Sequence, residues 1–194
     1  MKNKAPWIIL GVIVLVALVL GFWIAGAYNN FIYLDQNVNS KWSEVENQYQ
    51  RQADLIPNLV SVVSSSVSVE TNFVKEVIEA RTDWQNAASQ LDKDEAGVRM
   101  NNGVSAFVNA VSENYPVLQA NNQYVALTDE LAGTQNRITV ARKNYIDSIQ
   151  TYNTAVKSFP SNMLAGMFGF DEKEYYTSTS GIETPSLGNG QLPQ

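Results

Sequence analysis

The sequence predicts an all-α protein in which one N-terminal transmembrane helix precedes an antiparallel, up-down-up-down four-helix bundle. Three observations carry that expectation. Residues 7 to 27 (WIILGVIVLVALVLGFWIAGA) hold no charge, apolar positions from residue 28 to 159 recur at helical spacing, and Gly, Ser, Thr and Pro take over only near the C-terminus. The resulting division is a tail over 1–6, a transmembrane helix over 7–27 and a bundle over 28–160. An apolar segment over 161–176 then docks on the bundle or the membrane surface, and 177–194 form a disordered tail.

The apolar run of 21 residues is about 30 Å long at 1.5 Å rise per residue, the thickness of a bilayer's hydrocarbon core. Trp7, Trp23 and Tyr28 stand near its ends, where amphipathic rings favour the membrane interface. A cleaved secretory signal is the competing interpretation, since Ala25-Gly26-Ala27 resembles a cleavage site, but signal cores usually run only about 7–15 residues. Lys2 and Lys4 precede the run and the next basic residue is Lys41, so the positive-inside rule keeps the N-terminus cytoplasmic and exports the bundle.

The first bundle helix, from Tyr28 to about Ala53, carries Phe31, Leu34, Val38, Trp42, Val45 and Tyr49, five steps over 18 residues with a mean of 3.6. A second, of about 33 residues and capped by Asp54, carries Leu59, Val63, Val67, Phe73, Val77, Trp84, Ala88 and Leu91. Its stretch SVVSSSVSVE has mediocre helix propensity, so packing must hold it helical.

Asp92 followed by Glu95 resembles a capping box that starts the third helix. The stripe of that helix is Met100, Val104, Phe107, Val111 and Tyr115, and Pro116 ends it because its ring has no N–H and disfavours a helical residue before it. In the fourth helix, Tyr124, Leu127, Leu131, Thr134, Ile138, Ala141, Tyr145, Ser148, Tyr152, Ala155 and Phe159 alternate steps of 3 and 4. Such heptads imply a left-handed supercoil, and the small members suit close helix approach. Met163, Leu164, Met167, Phe168 and Phe170 follow as an apolar cluster, of which Met167, Phe168 and Phe170 are expected to touch the membrane interface or the lower bundle.

Composition narrows the chemistry. With 13 Lys+Arg against 19 Asp+Glu, a formal charge of −6 opposes a nucleic-acid backbone, and no nucleic-acid partner is expected. The absence of Cys and His excludes a disulfide, the usual zinc and haem sites, a thiol nucleophile and a Ser-His-Asp triad. Glu76, Glu79 and Asp83 follow i, i+3, i+7, but di-metal bundles normally use Glu-x-x-His, so these read as a solvated acidic face partly balanced by Lys75 and Arg81. Arg142 and Lys143 flank the heptad seam, where either cation suits a carboxylate on a neighbouring helix. No phosphate loop, nucleophile elbow or dinucleotide fingerprint occurs, and neither an enzyme nor a cofactor is expected.

Up-down-up-down threading brings two motif blocks to one end, far from the membrane. Asp54, Pro57 and Asn58 then lie beside Tyr115, Pro116 and Asn122. Asp54 suits the cap of the second helix, Pro57 its first turn, and Asn121 or Asn122 the cap of the fourth. The same residues suit a partner-docking tip, since loops on a rigid scaffold often bind.

DLIPNLV at 54–60, ENYPVLQANNQY at 113–124, ARKNYIDSIQTYNTAV at 141–156 and FPSNMLAGMFGF at 159–170 resemble the LemA family in order and spacing. The resemblance spans residues 28 to 175 and implies a membrane anchor, an antiparallel helical bundle and no enzymatic activity. The chain departs from the family where Arg51-Gln52-Ala53 replaces a basic pair and the Ser-rich run to Glu70 replaces a Lys, Tyr and His-Glu series. Family likeness also implies an outside N-terminus, opposite to the lysine argument that is followed here.

The expected function is that of a single-pass bacterial cell-membrane protein whose rigid bundle acts as a scaffold. Its partners are the membrane and an unidentified protein, with self-association left open. The alternative is a membrane-tethered four-helix ligand sensor, a class that usually adds a second span and an output domain, neither of which the sequence contains.

Overall fold

A single helix, α1 (Ala5–Ser66), joins the apolar run to the amphipathic stretch after it without a break. The computed structural model describes residues 5–68 and 71–174. After α1 come α2 (Thr71–Asn86), α3 (Gln90–Asn114), a 3₁₀ helix (Pro116–Ala120), α4 (Asn122–Lys157) and α5 (Ser161–Phe168). The expected disordered tail, 177–194, lies outside the described residues.

Every side chain from Trp7 to Gly26 is exposed. An apolar surface of that length with nothing packed on it suits lipid and not water, consistent with a single-pass membrane anchor. Nothing interrupts the helix at Asn29-Asn30, because the buried stripe begins at once with Phe31.

The chain divides into two compact units, and α1 and α4 contribute to both. The first unit holds α1 up to Arg51, α4 from Gly133, and α5 with the segment after it. Phe31, Val38, Trp42, Val45 and Tyr49 of α1 are buried, as are Ile138, Ala141, Tyr145, Ile149 and Tyr152 of α4. The two helices meet with the Trp42 and Tyr145 rings 5.3 Å apart. Phe159, expected on the α4 seam, lies beyond the end of the helix and is exposed.

The second unit, Gln52–Ala132, is a four-helix bundle of the end of α1, α2, α3 and the start of α4. Its antiparallel order shows in the pairs that cross it. Gly103 of α3 faces Ala80 of α2, Lys93 stands 5.8 Å over the Trp84 ring, and the Ser112 hydroxyl lies 3.0 Å from that of Tyr124. Ile56, Leu59, Val63, Val77, Trp84, Met100, Val104, Phe107, Val111, Leu118 and Leu131 fill the core.

Two boundaries differ from the sequence reading. There is no turn at Asp54–Asn58: α1 passes through Pro57, and the helix that follows starts at Thr71 and has only 16 residues. An interior proline removes the N–H that would bond the carbonyl four residues back. Here that carbonyl belongs to buried Ala53, and Arg81 Nε of α2 donates to it at 2.8 Å. Arg81 therefore replaces the missing backbone donor.

Helix α1 ends instead in the Ser-rich run, where the Ser65 and Ser66 hydroxyls both turn back to the Val62 carbonyl, at 3.0 and 2.8 Å. Low propensity and local hydroxyl competition place the turn there. The cap of α3 also lies upstream of the expected Asp92: Ser89 Oγ accepts from Asp92 N at 3.0 Å and donates to Asp92 Oδ2 at 2.6 Å.

Candidate functional site

The junctions α1–α2 and α3–α4 meet in the second unit, and this is where a built surface stands. Tyr115 closes α3, and its hydroxyl donates to the Ser68 carbonyl at 3.0 Å. Asn121 Nδ2 reaches Ser66 Oγ at 3.3 Å, while its Oδ1 accepts from Gln123 N and Tyr124 N at 2.9 and 3.2 Å. One asparagine thus caps α4 and ties it to the end of α1. Between these ties, the 3₁₀ helix buries Leu118 and presents Pro116 and Val117 to solvent, with Val117 67% exposed.

Of the residues expected at this surface, Tyr115, Pro116 and Asn122 lie in or beside the 3₁₀ segment, and Asn122 is exposed. Asp54 and Pro57 do not join them. They are exposed positions inside α1, about 14–18 Å of helix before Ser66. Asn58 is also helical and lines an open groove of about 530 Å³ with Ser61, Val62, Ser65, Gln123 and Leu127. Ser66, Ser68 and Val117 are the members that sequence reasoning missed, whereas Asn121, expected with Asn122 as a cap of the fourth helix, does cap it. The signal was the serine run, whose low helix propensity marks the true end of α1.

A second cluster lies in the first unit where α1 leaves its apolar run. Tyr28 meets Phe168 and Phe170 edge-on with ring centres 5.1 and 5.7 Å apart, and Phe31 meets Phe170 at 5.1 Å. Trp7 and Trp23 are exposed along the apolar run, and Met167 is exposed on α5. The segment after α5 is held by Asn153, whose side-chain amide both donates to the Lys173 carbonyl (2.7 Å) and accepts from Lys173 N (2.9 Å). Lys173 in turn pairs with Asp35 at 2.8 Å and stands 5.1 Å over the Tyr152 ring. Burial, and then the charges of Asp35 and Asp171, push the Tyr152 hydroxyl above the ordinary tyrosine range.

The charged residues singled out in the sequence stay on the surface, whereas Asp94 of α3 is buried. Glu76, Glu79 and Asp83 are exposed, Lys75 pairs with Glu79, and Lys143 pairs with Asp147 of its own helix, not with a neighbouring one. No group of three or more His, Cys, Asp or Glu side chains comes together among the described residues. A groove of about 500 Å³ between α1 and α4 in the first unit is lined by Glu44, Asn47, Gln48, Arg137, Val140 and Asn144. Gln48 Oε1 is buried there without a hydrogen-bond partner among the described residues.

The sequence profile of the LemA family matches residues 41–187. Magnetosome proteins MamQ 1 and MamQ 2 of Paramagnetospirillum magneticum are each 25% identical over 185 residues, covering 82% of this chain and 68% of their own length. Magnetosome protein MamQ of Magnetospirillum gryphiswaldense is 26% identical with the same coverage.

Proposed function

The chain belongs to the LemA family, and on that premise we propose that it is a membrane-anchored, non-enzymatic scaffold that offers the 3₁₀ segment and its neighbours to a protein partner. The observation that carries this reading is an exposed apolar turn that is not loose: Pro116 and Val117 stand between the Tyr115–Ser68 and Asn121–Ser66 ties. Ordering entropy is therefore already spent before a partner arrives. A chain without Cys or His offers few groups for covalent or metal chemistry. The names of the magnetosome relatives specify a location and no reaction.

Site-specific photocrosslinking in cells tests the reading, with the probe at Val117 and a comparison probe at Val140. A reproducible protein neighbour at Val117 alone, lost in Pro116→Asp without a drop in melting temperature, supports the scaffold. Equal capture at both positions, or none at Val117, refutes it. Lys2 and Lys4 before the apolar run support an extracytoplasmic placement of everything after it. Protection of that part from protease in intact cells would overturn the placement.

Gln48 favours a second reading, as a tethered ligand sensor. Its side chain lines the groove between α1 and α4 and its amide oxygen is buried without a partner among the described residues, a group that a ligand bringing a hydrogen-bond donor would satisfy. Ligand-dependent thermal stabilisation that Gln48→Leu abolishes, with no crosslinked neighbour at Val117, distinguishes it.

A further inference from the structure

Helix α5 turns its small apolar face inward and its large one outward. Leu164 and Ala165 are buried, whereas Met163 and Met167 are 66% and 77% exposed and Phe159, just ahead of the helix, is 81% exposed. Three large apolar side chains on one short element are what a water-facing surface avoids.

The helix is fixed at both ends, so this exposure is not fraying. Ser161 Oγ donates to the carbonyls of Ala155 and Ser158 at 3.0 and 2.9 Å. At the other end Gly169 takes the left-handed conformation at φ 75°, and Phe170 N returns to the Ala165 carbonyl at 2.9 Å. The Phe168 ring packs on Tyr28, the residue that directly follows the apolar run over 7–27. The outward face of α5 therefore continues the exposed apolar surface of α1.

We propose that α5 is an interfacial helix whose Phe159, Met163 and Met167 side chains enter the headgroup–acyl boundary of the bilayer that α1 crosses. This rests on α1 being a membrane anchor and adds a second contact to it. Continuity with that anchor selects lipid as the occupant, and the local charge selects the kind of lipid. Lys157 pairs with Glu172 and Lys173 with Asp35, which leaves Asp171 and Glu174 as an acidic surplus and no basic patch for anionic headgroups. Insertion is driven by apolar burial, so a zwitterionic bilayer suffices.

The chain has no cysteine, so single-cysteine labelling needs no background removal. Full-length Met163→Cys, Met167→Cys, Val140→Cys and Leu15→Cys proteins, each with one fluorophore, are placed in phosphatidylcholine nanodiscs and quenched with aqueous iodide or with brominated lipid. The expected result is lipid quenching at 163 and 167, with iodide quenching about fivefold or more below that at 140 and unchanged by added phosphatidylglycerol. Iodide access at 163 and 167 equal to that at 140 overturns the proposal. Shielding from both quenchers also does, because it means that protein covers the face. Lipid quenching at residue 15 keeps the outcomes separate: if it holds while 163 and 167 fail, the second contact alone falls, and if it fails too, the anchor falls with it.

Discussion

The bond from Arg81 to the Ala53 carbonyl makes a quantitative prediction about why α1 tolerates a proline. Arg81→Met removes the only non-helical donor that reaches Ala53 O among the described contacts and leaves a buried carbonyl unpaired, at a cost of about 1.5–3 kcal/mol for a bond from a charged donor. Pro57→Ala supplies a backbone N–H to the same carbonyl. In that background Arg81→Met should cost under about 1 kcal/mol, a coupling well above the roughly 0.3–0.5 kcal/mol expected of independent sites. Pro57→Ala alone should stabilise, though by less than the ~3 kcal/mol of an uncompensated interior proline, because Arg81 already recovers part of it. Urea unfolding of the full-length protein in nanodiscs measures the cycle by far-UV circular dichroism and tryptophan fluorescence. Buried Trp84, three residues after Arg81 on α2, makes the emission sensitive to local loosening. Equal costs in the two backgrounds would refute the substitution of a side-chain donor for a backbone one.

Three further outcomes follow from local geometry. Ser89→Ala should destabilise by about 1 kcal/mol in the same unfolding assay, through loss of the bond from Asp92 N, and Ser89→Asn should recover most of it. Gly103→Ala should be neutral or raise stability by up to about 1 kcal/mol, because the added methyl meets Ala80 Cβ at an ordinary 3.6 Å while the helix gains propensity; a lowered melting temperature would contradict the packing. Tyr152 has a raised folded pKa, so its contribution is fully present below the unfolded tyrosine value near 10 and is lost as pH rises through the higher folded value. Tyr152→Phe should therefore flatten the alkaline fall in stability above about pH 10 while leaving stability near pH 7 little changed, as read from melting temperature against pH.

Period alone found most of the cores of α3 and α4: Met100, Val104, Phe107 and Val111 are buried, as are Tyr124, Leu131, Thr134, Ile138, Ala141, Tyr145, Ser148 and Tyr152, whereas buried Ile149 and Val156 lie off the expected stripe and Leu127, Ala155 and Phe159 on it are not buried. The first two helices were divided in the wrong place because Asp54 and Pro57 form a strong local start signal. What overrides it is Arg81, 28 residues from Ala53, and no local reading contains that contact. Ser89-x-x-Asp92 carries the same capping logic as Asp92-x-x-Glu95, and only packing decides which register wins. For the candidate surface, Tyr115, Pro116 and Asn122 were found from turn chemistry, whereas Ser66 and Ser68 required knowing where α1 stops. The outward face of α5 is of the same kind, since Leu164 and Met163 are neighbours in the chain and only the docked helix separates them.

If α1 crosses the bilayer as proposed above, its unbroken course makes bilayer thickness a mechanical input. From Tyr28 to Arg51 the helix extends about 35 Å past the end of its apolar run over 7–27, with no proline or glycine to act as a joint. A lean of about 20°, ordinary for a single span adjusting to a thin membrane, swings Arg51 sideways by about 12 Å. With α1 as the anchor proposed above, lipid composition would set the angle of this lever before any partner binds.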